Sequence, residues 1–231
     1  MYKSHYATVI GINKRSIQDA HSIYESSKYS ISIVADGLGS SKLSDIGSYQ
    51  ATRAVKKAIT QWRSLKNSES NVLLQLIHFY WNLFINDLNL AKKDCLTTCL
   101  FVYIDKKTNE GLICQLGDGM IVFNSNNETY ITPKSTDFNY TQALGSAKNI
   151  SDWNVNSINF NNQEIQFFIA TDGISDDIVE NKEVDFLRYL IDSMNKIKKN
   201  SCNKFLKNTL QNWPTKFHKD DKTICITWSE K

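Results

Sequence analysis

The chain has 231 residues, 41% of them apolar, which is enough for one domain of ordinary to large size with a real core. Its net charge is only +3, with the lysines dispersed, so nothing points to nucleic acid; Lys196-Ile197-Lys198-Lys199 reads as a helix end rather than a basic patch. The five cysteines are odd in number and include no CxxC pair, so reduced thiols and a cytoplasmic setting are expected, with Cys114 and Cys225 as small core residues.

No N-terminal apolar run resembles a signal peptide. Tyr6 to Gly11 reads as a first strand, and Asn13 to His21 as a polar loop. Ser22-Ile23-Tyr24 then opens a second strand. Ser30 to Ala35 alternates like a strand with a buried face, so the opening is expected to be an antiparallel meander. From Ile46 the apolar positions Ala51, Val55, Ala58, Ile59 and Trp62 fall at helical spacing, predicting a helix over about Asp45 to Arg63. Val72 to Lys92 predicts a second helix, with Leu73, Leu76, Ile77, Trp81, Phe84 and Leu88 as a core stripe. This is the richest apolar stretch, but His78, Asn82, Asn86 and Asp87 interrupt it, and it falls short of the roughly 18 uncharged apolar residues of a membrane span. Strands follow over Leu96–Ile104, Leu112–Leu116, Met120–Phe123, Glu128–Ile131, Asn154–Phe160 and Glu164–Thr171, with Pro133 to Ala147 irregular. Ser175 to Glu183 is a polar connector. Val184–Ile197 and Asn203–Trp213 read as helices, and Thr223–Trp228 as the closing strand. Helices in segregated blocks among hairpin-linked strands argue for an α+β fold, with helices layered on mostly antiparallel sheets. No linker divides the chain, so 1–231 is read as a single domain.

One pattern recurs. Val34-Ala35 runs into Asp36-Gly37-Leu38-Gly39, Gln115-Leu116 into Gly117-Asp118-Gly119, and Ala170-Thr171 into Asp172-Gly173; Asp220-Asp221 stands just before the last strand. A carboxylate at the end of a stiff strand, followed by bare backbone, is a sound place for a cation, since a nearby carbonyl adds a further oxygen. Four such ends gathered at one sheet edge would repel each other unless divalent metal removed the penalty.

The ordered set resembles the metal-dependent type-2C Ser/Thr protein phosphatases, the PPM family, and its compact bacterial members in particular. The motifs carrying it are the early loop Lys14 to His21, Val34-Ala35-Asp36-Gly37-Leu38-Gly39, Gly47-Ser48-Tyr49-Gln50-Ala51, Thr97-Thr98, Leu116-Gly117-Asp118-Gly119, Ala143-Leu144-Gly145, Ala170-Thr171-Asp172-Gly173-Ile174 and Asp220-Asp221-Lys222-Thr223. The resemblance implies two stacked antiparallel sheets flanked by helices, a four-layer α/β/β/α sandwich. It implies two Mn²⁺ or Mg²⁺ ions, with a third, looser position. Asp36 would bridge two metals and Gly37 would offer its carbonyl. Asp172 and Asp220 would complete the other site, Asp118 would serve the third position, and Asp19 would hold metal-bound water. Hard divalent ions suit oxygen ligands, and a pair of them can activate water for in-line attack on phosphorus. No protein nucleophile is then needed. The partner implied is a phosphorylated protein, substrate of a cognate Ser/Thr kinase; a monomer is expected.

There are departures. Lys14 stands where the family often has Arg gripping phosphate, and an ammonium lacks the bidentate fork, so Lys14 or its neighbour Arg15 is the phosphate ligand. Gln18 stands where an acidic residue is common. His21 reads as a loop histidine. The motif register favours Asp220 over Asp221 as ligand, with Asp221 at a position usually held by Asn. The competing reading is a catalytically weak relative acting as a regulatory or phosphoprotein-binding module.

Overall fold

The structure is a computed structural model, and it describes residues 2–65, 69–126, 128–133, 141–147, 149–161, 163–214 and 219–229. One sheet has the order β2-β3-β4-β5-β8, formed by β2 (Ala20–Glu25), β3 (Tyr29–Ala35), β4 (Cys99–Asp105), β5 (Glu110–Leu116) and β8 (Asn154–Asn159). The other has the order β1-β10-β9-β6-β7, formed by β1 (Tyr2–Val9), β10 (Lys222–Ser229), β9 (Ile165–Ala170), β6 (Met120–Ser125) and β7 (Thr129–Ile131). Every named pairing in both sheets is antiparallel.

Alternation along the strands sorts the apolar side chains into three layers. Ile31, Ile33 and Ala35 of β3 join Phe101 and Cys114 against α1 (Ser44–Trp62) and α2 (Ser70–Asp87), where Ala51, Val55, Ile59, Ile77 and Trp81 are fully buried. Val34, Leu100, Val102, Ile121, Phe167, Ile169 and Cys225 fill the space between the sheets. Ile224, Ile226 and Trp228 of β10 face outward to Leu187, Leu190, Leu206 and Leu210 of α4 (Glu183–Asn195) and α5 (Cys202–Gln211). The result is the expected helix/sheet/sheet/helix sandwich.

Three expectations need correction. The opening is not a meander, because β1 pairs with β10 in one sheet while β2 pairs with β3 in the other. The segment after Val9 therefore crosses between sheets. His21 lies on β2, opposite Val34, and not in a loop. The second helix ends at Asp87, with Asn89 in the left-handed region (φ 55°), so Leu88 is exposed outside the stripe. Before the polar connector, for which the sequence leaves a short helical turn open, a short helix α3 (Asp172–Ser175) begins at Asp172. The expectation for Glu128–Ile131 narrows to β7, and most of the irregular stretch from Pro133 lies outside the described residues.

Register explains why the acidic strand ends meet. Cys99 at the start of β4 pairs with Leu116 at the end of β5, and Val34 near the end of β3 pairs with Leu100. In the other sheet, Ala170 at the end of β9 pairs with both Ile224 and Met120. The turn Gly117-Asp118-Gly119 carries the chain from one sheet to the other at this end. Its glycines take φ of 87° and 108°, a left-handed turn that side chains disfavour.

Candidate active site

At that end of the sandwich is a small polar cavity of about 150 Å³, lined by Lys14, Asp36, Gly37, Asp118, Asp172 and Asp220, with Leu38, Gly39, Thr98 and Thr141. Asp36, Asp118, Asp172 and Asp220 are widely separated in sequence, yet they share this wall. Asp19 lies behind it. Arg15 is exposed and is not among the lining residues.

Each acidic group is held by its own local device. The Asp36 amide donates to Thr98 Oγ1 at 2.9 Å, and its carbonyl accepts the Thr98 amide and the Thr97 hydroxyl, both at 2.8 Å. Asp36 is thus pinned to the first residues before β4. The Gly37 amide donates to the Gln18 carbonyl at 3.2 Å. Asp172 begins α3 and accepts the Gly173 amide at 2.6 Å through its own Oδ1. Asp118 accepts the Thr141 hydroxyl through Oδ2, and among the described residues its buried Oδ1 has no partner. Asp19 Oδ2 accepts the Thr171 hydroxyl at 3.0 Å, and among the described residues its buried Oδ1 has no partner either. Thr171 in turn takes the Thr223 amide at 3.1 Å. On the outer side, Thr223 Oγ1 donates to Thr8 Oγ1, which meets His21 Nδ1; both contacts are 3.0 Å.

The electrostatics are those of crowded negative charge. Burial pushes Asp19 up to about 7, and the charge of Asp221 adds to this against the pull of hydrogen bonds from Thr223, Asp36 and Thr171. Asp36 is raised well above the carboxylate range, by burial first and then by the charges of Asp19 and Asp172. Asp172 is raised by burial and then by Asp220 and Asp176. Lys14 reaches in from the early loop: its ammonium contacts Asp220 and lies 3.3 Å from both Gln18 Oε1 and Asp221 Oδ2. Burial works against its charge, but the two aspartates outweigh that and hold it above its usual range.

Among the described residues, no three His, Cys, Asp or Glu side chains close around one point as a finished metal cage. The donor set nevertheless fits hard divalent ions. The lining carries the carboxylates of Asp36, Asp118, Asp172 and Asp220 and the hydroxyls of Thr98 and Thr141, without sulfur or imidazole, and among the described residues the buried Oδ1 of Asp118 has no other partner. Positive charge placed here would relieve the repulsion that raises Asp36 and Asp172.

The cavity brings together Lys14, Asp36, Gly37, Asp118, Asp172 and Asp220 and leaves Arg15 outside. Of the two adjacent aspartates, Asp220 lines it and Asp221 is buried behind it. Thr171 and Thr223 stood inside quoted motifs, but their roles and that of Thr141 were not legible, since these single hydroxyls serve partners far along the chain. Thr97-Thr98 was legible as a motif, but not as the clamp on Asp36.

Comparison with known proteins agrees with this fold. The magnesium complex of RsbX superposes with a TM-score of 0.67 at 16% identity, covering 98% of this chain and 94% of that one. The serine/threonine phosphatase Stp1 from Staphylococcus aureus gives 0.70 at 17% identity, covering 100% and 96%. The S. agalactiae serine/threonine phosphatase gives 0.69 at 16% identity, with both chains covered in full at 100%. At such identities these likenesses establish the fold. No curated protein matches the sequence significantly. The family model described as Protein phosphatase 2C, however, matches residues 12–211, most of the chain. The chain therefore belongs to the protein phosphatase 2C family.

Proposed function

We propose that the chain is a metal-dependent protein serine/threonine phosphatase that hydrolyses phosphoserine and phosphothreonine in proteins, the substrates of a cognate kinase. One observation carries this: Asp36, Asp172 and Asp220, from three separate strand ends, line a single cavity, where burial and neighbouring carboxylates raise Asp36 and Asp172. On this reading Asp36, Asp172 and Asp220, with the Gly37 carbonyl, hold two Mn²⁺ or Mg²⁺ ions, and Asp118 serves a third position. Two bound ions would supply an activated water and offset charge on the phosphoryl oxygens. The chain's own residues do the rest. Asp19, behind the lining, would orient water bound at the ions. Lys14, on the lining, is favoured over the exposed Arg15 as the group that draws in the phosphate. The family membership and the magnesium complex of the RsbX neighbour support the choice of metal. All five cysteines are buried and free, which fits a reducing compartment such as the cytoplasm, where we place the protein as a monomer; among the described residues no helix is long and apolar enough to cross a membrane.

A second reading, a weakly active phosphoprotein-binding module, is favoured by one observation. Gln18, where an acidic residue is common, spends its side-chain amide on Ser44 Oγ at 2.7 Å. A phosphopeptide and p-nitrophenyl phosphate assay in Mn²⁺ separates the two. Turnover abolished by EDTA and by Asp36→Ala supports the enzyme. No turnover by metal-saturated protein supports the module, and a preference for free phosphorylated metabolites would redirect the substrate class.

A further inference from the structure

Asp221 is next to Asp220 in sequence but faces the other way. It is 1% exposed and takes no part in lining the cavity. Both its oxygens are engaged. Oδ1 accepts the Gly11 amide at 2.7 Å. Oδ2 accepts the Gln18 amide at 2.8 Å and faces the Lys14 ammonium at 3.3 Å. Gly11 and Gln18 bracket the segment that carries Lys14, so one carboxylate ties both ends of that segment to the start of β10. The seam is tight: a Cβ on Gly11 would lie 2.2 Å from the Lys219 carbonyl oxygen. Gln18 passes the restraint on, since its carbonyl accepts the Gly37 amide at 3.2 Å and the Ser48 hydroxyl at 2.6 Å.

A buried carboxylate is costly unless donors meet it, and here three do. An amide at this position would keep one acceptor oxygen and turn its NH₂ toward the second N–H. The geometry points to Asp221 as a positioning residue that fixes the Gly11–Gln18 segment and thereby holds the Lys14 ammonium at the cavity for the substrate's phosphoryl oxygens. This deepens the reading of Lys14 given above and rests on it.

The test uses the full chain loaded with Mn²⁺, in four forms: wild type, Asp221→Asn, Lys14→Met and the double variant. The readouts are kcat and KM for a phosphothreonine peptide, the Kd of inorganic phosphate by calorimetry, and the Kd of Mn²⁺. D221N is expected to raise KM and the phosphate Kd about tenfold while kcat and the Mn²⁺ Kd move less than about threefold. The double variant is expected to match K14M alone, because Asp221 acts through Lys14. Losses that multiply in the double variant overturn the inference. So does unchanged phosphate binding in D221N, or a loss of Mn²⁺ affinity of more than about tenfold, which would make Asp221 a metal ligand. If D221N fails to fold, Gly11→Ala, which presses on the same seam without altering Asp221, takes its place: a raised phosphate Kd with an unchanged Mn²⁺ Kd upholds the inference, and an unchanged phosphate Kd overturns it. Wild type that binds phosphate without turnover defeats the hydrolase reading alone; wild type that binds no phosphate defeats both.

Discussion

Asp36→Asn separates two effects of one carboxylate. In EDTA the charged Asp36 is a burden on the fold, because burial and the charges of Asp19 and Asp172 oppose its ionisation. Its folded pKa lies above its unfolded one, so the folded state holds the proton more tightly. The cost is therefore absent below the unfolded value, near pH 4, and it grows as pH rises towards the folded value. Asp19, pushed up to about 7, follows the same sign over the window from about pH 4 to 7. Metal-free wild type should lose stability as pH rises through that window. Asn keeps the shape of the side chain and removes one of the repelling charges. At pH 8 in EDTA, D36N should be more stable than wild type by about 1–3 kcal/mol. For a chain of this size that is a rise in Tm of about 3–10 °C. Near pH 4 the gain should shrink towards zero. Mn²⁺ should reverse the ranking, since a ligand at a hundredfold excess over its Kd stabilises by about 2.7 kcal/mol, and D36N should forfeit most of that. Thermal and urea unfolding across pH, with EDTA or Mn²⁺, read all of this. A D36N variant less stable than wild type at pH 8 in EDTA, or one stabilised by Mn²⁺ as much as wild type, would refute the crowding argument.

Thr171→Val removes the hydroxyl that serves Asp19 and the Thr223 amide at a fully buried site, and should cost about 1–3 kcal/mol in urea unfolding and lower kcat. Gly37→Ala would place a Cβ 2.6 Å from the Ser44 carbonyl oxygen and 2.7 Å from that of Gln18, both backbone atoms, so it should cost about 1–3 kcal/mol and weaken Mn²⁺ binding measured by calorimetry. The five free cysteines are buried, with burial raising the thiols of Cys99, Cys114 and Cys225, so the native protein should resist maleimide until denaturant is added, as counted by mass spectrometry. Rapid labelling of Cys225 in native protein would contradict its place between the sheets.

Much of the site was legible because its signals are local. Asp36, Asp118 and Asp172 each stand where an apolar strand gives way to glycine, and that motif can be read over a few residues. Helix periodicity placed α1 to within a residue at each end, at Ser44–Trp62. The end of α2 was overrun because an apolar stripe continues to Leu88, while the turn at Asn89 is a backbone event.

What the sequence determined by itself is the set of strands and helices, their layering class and the acidic positions, because side-chain period and strand-end chemistry are properties of neighbouring residues. Tertiary structure alone decided that β1 belongs beside β10 and that Lys14 rather than Arg15 reaches the cavity. It also put Asp220 on the cavity lining, the aspartate the motif register favoured, with Asp221 buried behind it. Those outcomes depend on pairings across some 200 residues, such as Gly11 with Asp221, which lie 210 positions apart. In extended chain, successive side chains point to opposite faces, so two identical neighbours acquire opposite roles only once the sheet fixes which face is which.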